Sequence, residues 1–106
     1  MGIDEAQVRE IVNRVVAAAR PRHIILFGSA ATGEMTRDSD IDLLVIEDDP
    51  GDRLAERLRI SRAIRGLSHA IDIKVMATER FEETKNIIGG IAYPADKYGR
   101  VVYEAG

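Results

Sequence analysis

Five residues have the types and spacing from which chemistry could be built: Gly28 and Ser29 in HIILFGS, Asp40 and Asp42 in SDIDLLV, and Asp72 in AIDIKVM. Asp40 and Asp42 lie two apart at the start of an apolar run that reads as a strand. Their carboxylates therefore share one face, about 6 to 7 Å apart along the backbone. Carboxylates held side by side repel, and one takes up a proton unless a cation keeps both ionised. A hard divalent ion such as Mg²⁺ favours this kind of set, a few carboxylates completed by water and substrate phosphates. The plainer alternative is a solvated strand start at the end of an Asp-rich turn. Asp72 is a charge between Ile71 and Ile73 in an otherwise apolar run, a placement that burial alone disfavours. Beside the second strand it would complete a cluster able to hold two metals for an in-line displacement. On an edge it would stand in water or pair with Lys74, which shares its face. Gly28 would let the backbone approach a ligand closely, and a helix starting at Ser29 would turn N–H groups and its positive end toward an anion. Ser29 would serve equally well as an ordinary helix cap.

The elements that must position these residues alternate along the chain. Residues 4–20 repeat apolar side chains at helical spacing through Val8, Ile11, Val12, Val15, Val16 and Ala19, with Asp4 and Gln7 placed as a capping box and Pro21 as the stop. Residues 23–27 read as a buried strand ending at Gly28, residues 29–32 as a short helical turn closed by Gly33, and the polar stretch to Ser39 as a loop. Residues 41–46 form the second predicted strand, followed by an acidic turn over 47–52 that contains Pro50 and Gly51. A helix over 52–66, a strand over 70–76, a helix over 78–88, an irregular segment around Tyr93 and Pro94, and a short strand over 100–103 complete the pattern. Strands alternating with helices predict an α/β (α+β) layer fold, one sheet with helices packed on it.

Composition narrows the function classes. At 106 residues, 45% hydrophobic and 31% charged, the chain fits a single domain over residues 1–106. With 5% aromatics and no Trp, its core must be aliphatic. No apolar run approaches the ~20 residues of a membrane helix, and the acidic start MGIDEAQVRE lacks the basic and apolar regions of a signal peptide. The absence of Cys excludes disulfides, thiolate metal sites and a Cys nucleophile, and these features together predict a cytoplasmic protein. A net charge of -3 gives no large electrostatic footprint for nucleic acid. Seven of the eighteen acids fall between Asp38 and Asp52, a density that calls for cations nearby.

Gly28-Ser29, a gap of ten residues, Asp40-Ile41-Asp42, and an acid thirty residues on in a third strand together resemble the signature of the nucleotidyltransferase superfamily of DNA polymerase beta. The run FGSAATGEMTRDSDIDLLVIEDD is most similar to the minimal nucleotidyltransferases, and the resemblance extends from HIILFGS to YGRVVYE. It implies a nucleotidyltransferase fold, a mixed sheet with helices packed on it. It further implies that Asp40 and Asp42 ligate metals bridging the triphosphate of ATP, and that Ser29 with the Gly28 backbone holds the terminal phosphates. Asp72 would help bind the catalytic metal and orient or deprotonate the attacking hydroxyl, with Mg²⁺ as cofactor. The resemblance also implies a partner. Minimal nucleotidyltransferases accompany HEPN ribonuclease toxins, and in characterised pairs they act as antitoxins by adenylylating a toxin tyrosine. One departure stands out: Ala31-Thr32-Gly33 occupies the place of an ARG-like triplet common in the family, so a phosphate-gripping cation is absent unless Arg37 or Lys74 replaces it. An antitoxin that masks its partner by binding alone, and a transferase acting on small molecules, are the competing readings; the second lacks an additional domain to hold its acceptor.

The helix predicted over 52–66 carries two apolar stripes, Leu54 with Leu58 and Ile60 with Ile64 and Leu67, divided by Arg57. One stripe suffices to pack a helix on a sheet, leaving the other as a candidate contact surface, or the two merge into one buried face with Arg57 snorkelling out. Its five arginines, Arg53, Arg57, Arg59, Arg62 and Arg65, spread around the wheel, as suits solubility or partner contact. Tyr93, Tyr98 and Tyr103 read as packing residues able to stack on a base. His23 reads as local packing and His69 as a surface residue.

Overall fold

The computed structural model describes residues 4–33, 40–67 and 70–105. Helix α1 (Glu5–Ala18) starts where Asp4 accepts a hydrogen bond from the Ala6 N–H at 2.8 Å. It buries Val8, Ile11 and Val15, the stripe that its periodicity marks. Strand β1 (His23–Phe27) leads through Gly28 into the one-turn helix α2 (Ser29–Thr32). Strand β2 (Ile41–Glu47) is followed by helix α3 (Arg53–Ala63), whose cap Asp52 accepts from the N–H groups of Leu54 and Ala55. Strand β3 (Ile71–Ala77), helices α4 (Thr78–Thr84) and α5 (Ala92–Tyr98), and strand β4 (Arg100–Glu104) complete the chain.

The four strands form one sheet in the order β3-β2-β1-β4. β2 and β3 run parallel across the α3 crossover, and the two other pairings are antiparallel. The sheet is mixed, in agreement with the expected α/β (α+β) architecture. Side-chain alternation divides β2 between two cores. Ile41, Leu43 and Val45 face α1 and α3 together with Ile24, Leu26, Ile60 and Ile73. Leu44 and Ile46 face the other side with Ile25, Phe81, Ala92 and Ala95. Every residue of β2 is buried except Asp42, which is half-buried. Each fully buried Leu or Ile contributes about 1.5–3 kcal/mol relative to exposure, so β2 anchors both layers.

Several boundaries differ from the sequence expectation. The segment around Tyr93 and Pro94 is helix α5 rather than irregular. Pro94 falls in the first turn, where its missing N–H would have no intrahelical partner anyway. The helix expected over 78–88 ends at Thr84, and α3 ends at Ala63 before the turn through Gly66. Glu47, expected in the acidic turn, is instead the last residue of β2 and is buried.

Candidate active site

The parallel register sets Asp42 directly beside Asp72, so both side chains project from the same face of neighbouring strands. Asp40 lies just ahead of β2, two residues from Asp42 and exposed. Burial pushes the Asp42 carboxyl above its ordinary value, Asp72 and then Asp40 push it further, and Lys74 offsets part of the effect. Two of the acids named by the sequence, Asp72 and Asp40, thus act electrostatically on the third, Asp42.

Gly28 makes the fourth side of this site. It takes φ +72°, the left-handed region that side chains rarely adopt, and a Cβ placed on it would overlap Oδ2 of Asp42. Both the turn and the carboxylate therefore require glycine here. The Gly28 carbonyl accepts from the N–H groups of Ala31 and Thr32 at 3.1 and 3.3 Å. The N–H groups of Ser29 and Ala30 belong to the opening turn of α2, which a helix cannot pair internally. Gly28, the first of the two residues expected to hold phosphate, therefore stands against Asp42, across the β1–β2 pairing that sets Phe27 opposite Asp42, and Ser29 follows it as the first residue of α2.

Helices α4 and α5 cover the far end of this sheet face through Phe81, Ala92 and Ala95. The end holding Asp42 and Asp72 keeps half-exposed side chains.

Two cations hold Asp72. Arg57 Nη2 lies 3.9 Å from Oδ1 and Lys74 Nζ lies 3.6 Å from Oδ2. The Lys74 contact is the edge-strand alternative realised together with, and not instead of, the juxtaposition to Asp42. Arg57 is the site residue that sequence reasoning missed. In the sequence it stands as the divider of two apolar stripes, and nothing there marks it as a partner of Asp72. Of the two readings of the 52–66 segment, the single merged buried face is not found and the division into two stripes is: Ile60 and Ile64 enter the core, whereas Leu54 and Leu58 are 62% and 48% exposed. Thr32 supplies no cation, and its hydroxyl donates to the Ser29 carbonyl at 3.4 Å. Arg37 and His69 lie outside the described residues.

The remaining candidates are peripheral. His23 Nε2 stands 3.3 Å from Glu104 Oε1, Tyr103 packs against the larger core, and Lys97 lies 5.8 Å above the Tyr93 ring. Tyr98 is exposed rather than packed.

The donors at the site are hard carboxylate oxygens, held together against their repulsion and cradled by a glycine. That chemistry fits a divalent cation of the magnesium type. Among the described residues no three His, Asp or Glu side chains are gathered tightly enough to enclose an ion as they stand. Among the same residues, no helix is long and apolar enough to cross a membrane.

The profile of the nucleotidyltransferase domain family matches residues 6–93, a span that takes in Gly28, Ser29 and all three aspartates. The chain belongs to this family. This nucleotidyltransferase-family chain is 45% identical over 47 residues to a Methanocaldococcus jannaschii protein provisionally named a protein adenylyltransferase. That match covers 42% of the chain and 47% of the relative, about half of its length. A toxin–antitoxin crystallised with AMP-PNP superposes with a TM-score of 0.63 at 18% identity, over 92% of this chain and 73% of that one. A provisionally named nucleotidyltransferase of Sulfolobus solfataricus gives 0.60 at 23% identity, over 94% and 85%. A Shewanella oneidensis complex of a tri-AMPylated HEPN toxin with an MNT antitoxin gives 0.58 at 15% identity, over 97% and 74%. At these identities the likeness establishes the fold, the mixed-sheet α+β arrangement of nucleotidyltransferases.

Proposed function

We propose that this protein is a Mg²⁺-dependent adenylyltransferase that moves AMP from ATP to a tyrosine hydroxyl of a HEPN-family toxin and so acts as its antitoxin. The observation that carries the reading is the in-register pair of Asp42 and Asp72 beside the left-handed turn at Gly28, within a chain of the nucleotidyltransferase family. The M. jannaschii relative and the toxin–antitoxin neighbours supply the acceptor class. We assign Asp40, Asp42 and Asp72 to the metal, and Ser29 with the Gly28 backbone to the triphosphate.

In the reaction the tyrosine oxygen attacks the α-phosphorus of ATP. An oxygen–phosphorus bond forms as the bond from that phosphorus to the bridging oxygen of pyrophosphate breaks. The hydroxyl proton passes to the Asp72 carboxylate, and pyrophosphate leaves with the electron pair. Bound Mg²⁺ would supply charge neutralisation at the phosphates and acidify the attacking hydroxyl. The protein contributes placement and fixed charge: Gly28 gives the closest backbone approach, Asp42 holds its carboxylate where repulsion leaves it wanting a cation, and Lys74 balances the cluster.

The test is intact-mass spectrometry of a HEPN-family protein from the same genome, mixed with this protein with and without Mg²⁺ and ATP. Adenylate-sized increments that need both, and that vanish with Asp42→Asn, are expected. An unmodified partner in a stable complex would sink the enzymatic reading. It would favour masking by binding alone, a reading consistent with the missing cation at Thr32 and the engagement of both Asp72 oxygens by Arg57 and Lys74.

A further inference from the structure

Strand β3 pairs with β2 on one side, and among the described residues nothing pairs with its other side. A groove of about 310 Å³ runs along this outer edge. Its floor is the consecutive stretch 73–76; Arg53, Leu54 and Arg57 of α3 form one bank, and Ile91 forms the other. Consecutive strand residues lining one groove mean that both faces of the strand reach it, as at an edge whose backbone is open to pairing. Leu54 is 62% and Ile91 36% exposed. The groove is lined by three cations, Arg53, Arg57 and Lys74, and by no carboxylate, in a chain whose net charge is -3. Two of these cations also touch Asp72, so the groove opens directly onto the site.

The geometry points to this edge as the dock for the acceptor protein, which lays an extended acidic and apolar segment along β3 and delivers its hydroxyl to Asp72. The inference rests on the proposed adenylyl transfer for the identity of the acceptor, and on the groove for its position. Four floor residues span ~13 Å, enough for four or five residues of an added strand, with main-chain hydrogen bonds for affinity and alternate side chains for selection. Alternation then fixes the pattern. Asp42, Asp72, Lys74 and Met76 project on one face of the sheet, whereas α3 lies on the other. The hydroxyl-bearing residue and its apolar neighbours two positions away therefore lie toward Met76 and Ile91, and the intervening acids lie toward Arg53 and Arg57. A triphosphate would match the cations but leave Leu54, Met76 and Ile91 without a counterpart, and so a polypeptide is the better occupant.

The double variant Arg53→Glu, Leu54→Glu tests this in the full chain. Both positions open α3, where acids favour the helix dipole, so the fold is kept and the melting temperature should not fall. Three quantities are read: association with the HEPN-family protein, AMP transfer to it, and affinity for a non-hydrolysable ATP analogue. Val101→Glu, at a 55% exposed position on β4 at the opposite edge of the sheet, is the control. The double variant should weaken association and transfer at least tenfold, with analogue affinity unchanged and the control silent. Unchanged association, no association even for the wild-type chain, a loss of analogue affinity, or an equal loss in Val101→Glu would each overturn the assignment. If the wild-type chain associates without transferring AMP, the activity reading falls, while the association data still judge the dock.

Discussion

Strand β2 carries a carboxylate cluster at each end, and the two are built in opposite ways. At its start Asp42 stands half-exposed beside Asp72 and Asp40, on the face where α4 and α5 leave room. At its end Glu47 is buried on the other face, against Glu56 of α3. The pair at the end resolves its repulsion internally. Burial and the hydrogen bond to Glu56 push the Glu47 carboxyl up to about 7, while the bonds from Glu47 and Arg59 outweigh burial and hold Glu56 below its usual range. The two groups thus share one proton, with Arg59 on the ionised partner. One oxygen of each, Oε2, has no protein partner among the described residues. Among the described residues the cluster at the start has no such hydrogen bond, and the cations beside it are Lys74 and Arg57, each more than 3.5 Å from Asp72. A closed pair fastens a helix to a strand, whereas an open pair leaves an electrostatic demand for a ligand to meet.

The sharpest way to break this contrast is Asp42→Asn. If the open cluster serves the reaction, AMP transfer falls at least about 10³-fold, and the increment on the acceptor disappears from the mass spectrum. Stability should move the other way. The Asp42 carboxyl is raised in the folded state, so the ionised form is penalised by folding once the pH passes the ordinary carboxylate range. The neutral amide removes that penalty, and the variant should melt at or above the wild-type temperature at pH 7. A variant that loses activity and also melts well below wild type would place Asp42 among structural residues.

Gly28→Ala tests whether the cradle and the carboxylate are one device. A methyl group there overlaps Asp42 Oδ2 and also forces alanine to φ +72°, ψ -152°, a nearly glycine-only conformation, which costs about 1–3 kcal/mol from the backbone alone. Displacement of Asp42 should lower transfer by about 10–100-fold, as misplacement at a reacting centre does. Gly33, at φ +81° in the left-handed helical region but with no described residue within 4 Å of its Cβ position, should show on alanine replacement a stability loss with much less loss of transfer. Equal activity losses at both glycines would detach the contact with Asp42 from the chemistry.

At the closed end, Glu47→Gln should erase a pH dependence and leave activity alone. A carboxyl raised from 4.5 to about 7 in the folded state keeps its proton while the unfolded chain releases it. Its contribution to stability is therefore complete below the ordinary value, declines as the pH rises from about 4.5 to 7, and is flat above. The loss across that window is on the order of 3 kcal/mol. Glutamine donates its amide N–H to Glu56 much as the protonated acid does, so urea unfolding at pH 5, 6 and 7 should show a flatter profile than wild type. An unchanged profile would mean that the buried pair shares no proton.

The open cluster was legible in the sequence because its signals are local: a two-residue period on a strand, a glycine at a strand end, and a charge inside an apolar run. The sequence left open whether β3 neighbours β2; the parallel pairing across the α3 crossover supplies that step. The closed pair was not legible. Glu47 follows six strand residues and precedes Asp48 and Asp49, so it reads as the first acid of a turn. Only the packing of α3 reveals that position 47 continues the inward alternation of Ile41, Leu43 and Val45. Arg57 was hidden for a similar reason, because its partner Asp72 is fifteen residues away, beyond the turn that closes α3. Helix α5 was obscured by Pro94 and the preceding Gly89-Gly90, strong breakers in a linear reading that are harmless just before a helix and in its first turn.

The mildest test concerns what the open cluster still lacks. Thr32→Arg restores a cation where the family commonly carries one, on the exposed side of a helix that begins at the Gly28 turn. A charge-assisted hydrogen bond to a phosphate contributes about 1.5–3 kcal/mol, and ordering a long side chain costs up to about 2 kcal/mol. The net gain is about 1 kcal/mol, roughly a fivefold increase in affinity for ATP by calorimetry. The loss of the Thr32 hydroxyl bond to Ser29, 3.4 Å long, subtracts little. If affinity rises and transfer rises with it, the cluster was short of a cation and Lys74 does not replace it. If affinity is unchanged, Lys74 and Arg57 already meet the phosphates, and Lys74→Gln should then weaken ATP binding in the same assay. Because Lys74 also offsets the charge on Asp42, that weakening should come with a further rise in the pH at which Asp42 ionises. Glu47, at the other end of the strand, should not respond.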